Sequence, residues 1–205
     1  MTSHQLLSAA VVHLRAGGLF IYPTETAYAI GCDATNVTAV QAIFRLKGRE
    51  RGKPLPLIVA SRAMAERYAR FTPLARRLAA RYWPGPLTIV LASRFSPPLP
   101  EGEREGVGML APGVVASNGT IALRVSSHPV ARALSRRLGR PIVSTSANRA
   151  GEPPCYSARC ALRSLRGGVF AIDTGPLPHR RPSTIVDARS DRPHIHRIGQ
   201  IQIAI

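Results

Sequence analysis

Four short polar segments hold the side chains of this chain that could do chemistry. Tyr22-Pro23-Thr24-Glu25-Thr26-Ala27-Tyr28 places two hydroxyls and a carboxylate directly after an apolar run. Lys47-Gly48-Arg49-Glu50-Arg51-Gly52-Lys53-Pro54 contains both of the chain's lysines; every other one of its 28 basic residues is arginine. An ammonium is a compact charge on a flexible stem and a guanidinium is a planar fork, so a chain this biased to arginine keeps lysine where the fork does not serve. Thr120-Ile121-Ala122-Leu123-Arg124 sets Thr120 and Arg124 on one face of a strand, and a guanidinium there can hold a carboxylate through two parallel hydrogen bonds. Ser144-Thr145-Ser146-Ala147-Asn148 offers small hydroxyl and amide groups that let an anion approach closely.

Together these segments describe a basic, hydroxyl-lined anion cavity without an evident nucleophile. No Gly-x-x-x-x-Gly-Lys-Ser/Thr loop, Gly-x-Gly-x-x-Gly turn or Gly-x-Ser-x-Gly elbow occurs. A helix C-terminus repels anions through its dipole, so Lys47, Arg49 and Lys53 are expected to meet phosphate through their side chains. Three cysteines, Cys32, Cys155 and Cys160, read as too few and too scattered for a disulfide framework or a zinc site, which favours a reducing cytoplasm.

The elements that must position these segments are legible from apolar spacing and caps. Gln5–Arg15 reads as an amphipathic helix, Leu19–Tyr22 as a buried strand cut off by Pro23, and Asn36 as the cap of a helix stopped by Gly48. Leu55–Ala60 and Leu87–Ala92 read as strands. Ser61 and Thr72-Pro73 read as caps of helices running to about Phe71 and Tyr82. Ser93–Gly106, with three prolines and three glutamates, reads as a polar loop, with strands resuming at Val107 and Thr120 and a hairpin turn at Asn118-Gly119 between them. Pro129 opens a helix with Val130, Ala133, Leu134 and Leu138 inward. Pro141–Val143 is a strand, Ser157–Leu165 a helix, and strands lie near Val169, Ile185 and Ile195. The alternation predicts one α/β domain over 1–205 with a mixed sheet.

The 205 residues suffice for one well-filled core, and no apolar stretch is long enough to span a bilayer. The N-terminus lacks the pattern of a signal peptide. A formal net charge of +17 favours polyanionic partners such as nucleic acid or nucleotides. No acidic residue lies between Gly106 and Gly151, whereas Arg124, Arg132, Arg136, Arg137, Arg140 and Arg149 do. Both an anion-binding face and a general solubilising role remain open for these arginines.

The motifs in order resemble the YrdC family, in particular its short single-domain bacterial threonylcarbamoyl-AMP synthases. The resemblance rests on Tyr22-Pro23-Thr24-Glu25-Thr26 with Gly31-Cys32-Asp33, on Lys47-x-Arg49 with Ser146-x-Asn148, and on Trp83-Pro84-Gly85-Pro86-Leu87-Thr88. It continues through Ala122-Leu123-Arg124-Val125 with His128-Pro129 and Pro182-Ser183-Thr184-Ile185-Val186-Asp187. It implies a YrdC-like twisted, open mixed sheet flanked by helices, with a basic concave face. The activity implied is condensation of L-threonine, bicarbonate and ATP to threonylcarbamoyl-AMP and pyrophosphate. That product serves N6-threonylcarbamoyladenosine formation beside the tRNA anticodon. Threonine would be bound by Thr26, Arg124, Ser144 and Ser183, and ATP by Arg49, Lys53, Thr120, Ser146 and Arg197. Lys47, Arg49, Ser146 and Asn148 would form the catalytic signature. Mg2+ would arrive with ATP, without a protein metal site or organic cofactor. The partners implied are the TsaB/TsaD/TsaE transferase machinery and a possible tRNA contact, with no membrane.

Three positions depart from the family pattern. Ala29 stands where glycine is usual, Glu50 where proline is usual, and Ile198 where proline commonly precedes the glycine. A competing reading is an RNA-binding protein without chemistry; the aromatic content of 5% weakens it, because readers of single-stranded RNA need stacking platforms.

Overall fold

Helix starts follow the caps. In the computed structural model, which describes residues 3–50, 52–95, 109–166 and 168–203, Asn36, Ser61, Thr72 and Ser157 each accept a backbone N–H of the first turn. They open α2 (Val37–Lys47), α3 (Arg62–Tyr68), α4 (Pro73–Tyr82) and α6 (Ala158–Leu165); α1 is Ser3–Arg15 and α5 is Pro129–Leu138. Gly48 and Gly139 end α2 and α5 in the left-handed conformation that glycine adopts without strain. The strands are β1 (Phe20–Pro23), β2 (Tyr28–Gly31), β3 (Leu57–Ile58), β4 (Ala69–Arg70), β5 (Leu87–Ser93) and β6 (Thr120–Arg124). Then follow β7 (Ile142–Val143), β8 (Thr145–Ser146), β9 (Phe170–Ala171), β10 (Thr184–Asp187) and β11 (His194–Arg197).

The strands form two mixed sheets where a single one is expected. The smaller has the order β8-β2-β1-β9; the larger has the order β11-β10-β5-β6-β3-β7, with β4 added against β5. The chain passes from one to the other between β7 and β8, across Ser144. A close approach holds the sheets together there. A Cβ on Gly31 would lie 2.0 Å from the Val143 carbonyl oxygen, so only glycine lets the end of β2 reach β7. The Tyr22 hydroxyl donates to that same oxygen at 3.1 Å. The largest apolar cluster fills the space under α2, α3, α4 and the central strands, and a second joins α1 and α5 to β1.

Several local readings change. The Leu55–Ala60 run contracts to two strand residues, because Pro54 and Pro56 carry no N–H and Leu55 donates instead to Gly113. Helix α3 ends at Tyr68, since Ala69 and Arg70 pair with β5. In α5 it is Ala131, not Ala133, that is buried with Leu134 and Leu138. Asn118-Gly119 does form a tight turn into β6, with Ala116 and Thr120 bonded across it, but the antiparallel partner of β6 is β5. The strand read at Val107 and most of the Ser93–Gly106 loop lie outside the described residues.

The cysteine reading is corrected outright. Cys155 and Cys160 form a disulfide with Cα atoms 5.5 Å apart, leaving Cys32 as a buried free thiol. The five-residue spacing spans the capped turn that opens α6. There the Ser157 hydroxyl accepts the Cys160 N–H at 3.2 Å and folds the two cysteines together. A local bridge of this kind escapes an argument about frameworks.

Candidate active site

The strand ends that meet at the junction of the two sheets enclose a cavity of about 500 Å³. Eight of the sequence-derived site residues line it: Thr26, Arg49, Arg124, Ser144, Ser146, Asn148, Ser183 and Arg197. They come from the loop after β1, the segment after α2, the ends of β6 and β11, and the segments flanking β7, β8 and β10. Among the described lining residues four arginines, Arg49, Arg124, Arg180 and Arg197, face one carboxylate, Glu152.

Arg124 is held at the end of β6 by Glu25, whose Oε1 accepts from Nη1 at 3.1 Å; the side chains are 9% and 6% exposed. The second Glu25 oxygen accepts from the Ser126 hydroxyl. Thr26 Oγ1 lies 3.4 Å from the same guanidinium nitrogen, and Thr24 orients Thr26 through a 2.9 Å hydroxyl contact. Thr24 in turn donates to the Ala27 carbonyl at 2.7 Å, closing a turn that aims Thr26 into the cavity. Glu25 is visible in the sequence as a carboxylate in a polar turn, but its service to Arg124, 99 residues away, is not.

Across the cavity, Arg197 Nη2 donates to the Ser183 hydroxyl at 3.1 Å and its Nε to the Ser183 carbonyl at 3.0 Å. Thr88, absent from the sequence-derived site, supports Ser183 through a 3.0 Å hydroxyl contact. Burial, and then repulsion from Arg124, lower the pKa of Arg197. Two guanidiniums that line one cavity and repel each other favour an anion between them. Gly199 fixes this corner: a Cβ there would sit 2.0 Å from the Pro182 carbonyl oxygen. Ile198 is exposed and leaves the Arg197–Ser183 contacts intact.

Ser146 and Asn148 occupy the wall made by β8 and the turn after it. Asn148 Nδ2 donates to the carbonyls of Arg149 and Glu152 at 3.0 and 2.6 Å, which fixes the amide so that Oδ1 is its free end. Oδ1 is buried without a partner, and so is the Ser144 hydroxyl. Both residues line the cavity, so each is positioned to meet a group on a ligand. Arg49 is tethered by the carbonyls of Lys53 and Pro54 at 3.1 and 3.3 Å, and burial lowers its pKa. Ala29 lies beside this wall, paired in register with Ser146.

Three expected site residues lie elsewhere. Thr120 is at the far end of β6 and donates to Asn118 Oδ1 at 2.7 Å. Three strand residues lie between it and Arg124, so the shared face does not bring them to one ligand. Lys53 is exposed and paired with Glu50 at 2.9 Å. Lys47 is buried, and its ammonium donates to the backbone carbonyls of Ser146 and Asn148, the latter at 2.6 Å. Tyr156 and Arg180, which sequence reasoning missed, complete the lining; the Tyr156 hydroxyl donates to the Arg180 carbonyl at 3.2 Å.

A family model covering Sua5, YciO and YrdC proteins, described as telomere recombination, matches residues 12–199. The chain belongs to the Sua5/YciO/YrdC family. A threonylcarbamoyl-AMP synthase of Thiobacillus denitrificans is 39% identical over 183 residues, covering 85% of this chain and 87% of that protein. The protein of the same name from Chromobacterium violaceum is 36% identical over 190 residues, covering 92% and 91%. Among solved structures of this family, P. abyssi Sua5 complexed with L-threonine superposes with a TM-score of 0.82 at 33% identity. The match covers 94% of this chain and 54% of that one, so the chain spans about half the length of that structure. No described helix is long and apolar enough to cross a membrane.

Proposed function

We propose that this Sua5/YciO/YrdC chain is an L-threonylcarbamoyladenylate synthase. The observation that carries the reading is the cavity itself. It gathers Thr26, Arg124, Ser144 and Ser183 together with Arg49, Ser146, Asn148 and Arg197, in a chain whose curated relatives bear that name. Arg124 takes the threonine carboxylate on the guanidinium edge that Glu25 leaves free. Thr26, Ser144 and Ser183 surround the amino acid, and the unpartnered Ser144 hydroxyl gains a partner when it binds. Arg49, Ser146 and Arg197 face the triphosphate. In this reading Lys53 turns to ATP only after leaving Glu50, and Thr120 supports β6.

The threonine amine forms the C–N bond to CO2 derived from bicarbonate, and the hydroxide released with that CO2 takes the amine proton and leaves as water. A carbamate oxygen then attacks the α-phosphorus, and the bond to pyrophosphate breaks. No protein nucleophile is required. Catalysis consists of alignment and of neutralising charge on phosphate oxygens, which preorganised donors do well in a site with little water. The expected Mg2+ is carried by the nucleotide and bound largely by phosphate and water. No cluster of three His, Cys, Asp or Glu is present among the described residues. When bound, the ion withdraws charge from the phosphates. The product would pass to a TsaB/TsaD/TsaE-type transferase acting on tRNA in the cytoplasm.

Pyrophosphate release by the purified protein, with ATP, magnesium and bicarbonate, tests the reading. Release that requires both L-threonine and bicarbonate, and is not supported by L-serine to the same rate, is the expected result. Release independent of threonine, or none, would overturn it.

A further inference from the structure

The Lys-x-Arg lysine does not line the cavity it is expected to serve. Lys47 is the last residue of α2 and is 3% exposed. Its ammonium donates to the carbonyls of Ser146 and Asn148, 99 and 101 residues away. Its own carbonyl accepts the Ala150 N–H at 2.9 Å, so both ends of the residue grip one turn. That turn holds Asn148, a lining residue whose Nδ2 is spent on two carbonyls and whose Oδ1 is buried without a partner. The charged groups that act on Lys47 are Arg49 and Glu152, of opposite sign.

We infer that Lys47 is a positioning residue: it clamps the Ser146–Asn148 turn through backbone carbonyls, so that Asn148 presents its amide oxygen to the ligand, and it makes no phosphate contact. The chemistry explains why lysine is kept in a chain that otherwise uses arginine. Two carbonyls on alternate residues of one turn converge on a single point. A compact ammonium with three rotatable donors can satisfy both there, whereas a planar fork is longer and spreads its donors. A buried ammonium also needs such partners, because burial without hydrogen bonds is costly. The pair of motifs, far apart in sequence, is thus one structural unit.

The kinetic part of the test rests on the synthase reading; the other parts do not. First, the side-chain amide resonances of Asn148 in the unmodified protein are followed by NMR from pH 6 to 10. They should move with a midpoint at about 8, to which burial and the repulsion of Arg49 lower the Lys47 ammonium against the attraction of Glu152. The movement should vanish in Lys47→Met. Second, ATP affinity of Lys47→Met, measured by calorimetry, should stay within about threefold of the parent, whereas turnover falls about tenfold or more at unchanged KM for ATP. Lys47→Arg should not rescue turnover. A tenfold or greater loss of ATP affinity in Lys47→Met, or Asn148 resonances that do not move with pH, would overturn the assignment. A parent protein without synthase turnover would sink the proposed activity, and the resonance and ATP-affinity measurements would still decide the role of Lys47. The titration needs no variant, so a variant that fails to fold does not remove the test.

Discussion

Glu25→Ala should be among the most damaging single changes in this molecule, although Glu25 touches no ligand in the proposed reaction. The carboxylate holds a guanidinium at 3.1 Å with both side chains at least nine-tenths buried. Removing one partner of such a pair leaves an uncompensated buried charge and typically costs about 3–5 kcal/mol. Here the Ser126 hydroxyl loses its acceptor as well. A domain of this size shifts its Tm by about 2–4 °C per kcal/mol, so the loss should be at least about 6 °C. Glu25→Gln separates charge from shape. Its amide can still accept from Arg124 and donate to Ser126, so its melting point should fall between those of the parent and of Glu25→Ala. The ligand provides a second readout. A threonine carboxylate arriving at Arg124 supplies the missing countercharge, so 10 mM-scale threonine (roughly, set well above a weak Kd) should raise the Tm of Glu25→Gln more than that of the parent. Differential scanning fluorimetry with and without threonine measures both. A Glu25→Ala protein melting within about 2 °C of the parent would refute the view that this ion pair is a buried structural charge.

Other perturbations have equally definite outcomes. Arg124→Ala should weaken threonine binding about 10- to 100-fold, the scale of a hydrogen bond to charge, with ATP affinity nearly unchanged by calorimetry; normal threonine affinity would contradict the pocket assignment. Gly199→Ala must displace the Pro182–Ser183 backbone and should cost about 1–3 kcal/mol, together with a lower turnover as Ser183 and Arg197 move; a neutral outcome in urea melts would show that the corner is soft. Glu50→Gln should release Lys53 and lower KM for ATP without changing the melting point, and an unchanged KM would confine Lys53 to the surface. Because the pKa of Lys47 is lowered from 10.5 to about 8, the folded state binds fewer protons than the unfolded state between those values. The contribution of Lys47 to stability therefore rises with pH across that window, and a difference in urea-melt stability between the parent and Lys47→Met that does not vary there would contradict it. In denaturant without reductant, alkylation followed by intact-mass measurement should add one group, at Cys32; three groups would show that Cys155 and Cys160 are not bridged.

The readable parts of this chain were those decided within a few residues. Asn36, Ser61, Thr72 and Ser157 cap helices because a hydroxyl or amide oxygen accepts a donor three residues on, which is a local event. The four polar segments converge because each follows or ends a strand or helix at the sheet junction, and their residue types already implied an anion. What was not readable depends on partners distant in sequence. The division into two sheets depends on the approach of Gly31 to Val143. Thr120 and Arg124 share a strand face, yet distance along the strand, not face, decides which ligand each can meet. Lys47 and Lys53 look alike in one basic run, but one is buried against two carbonyls and the other is solvated beside Glu50.

Glu152 at the cavity and Glu25 behind Arg124 follow from the same physics. A pocket of four arginines built for an anion must remain folded before the anion arrives, and mutual repulsion would otherwise spread its cations into solvent. Glu25 solves this at Arg124 by occupying one guanidinium nitrogen from behind. Glu152 does so at the other wall. Its carbonyl fixes Asn148, its carboxylate is tied by the Ser164 hydroxyl, and its charge offsets that of Arg49 at the Lys47 ammonium. Glu25 is not placed to act as a base on a substrate, since both of its oxygens are engaged by protein donors, and Glu152 has one oxygen held by Ser164. A site that needs no proton-abstracting side chain can use its acids in this way. The chemistry proposed here, an amine attacking CO2 and a carbamate attacking phosphorus, is of that kind.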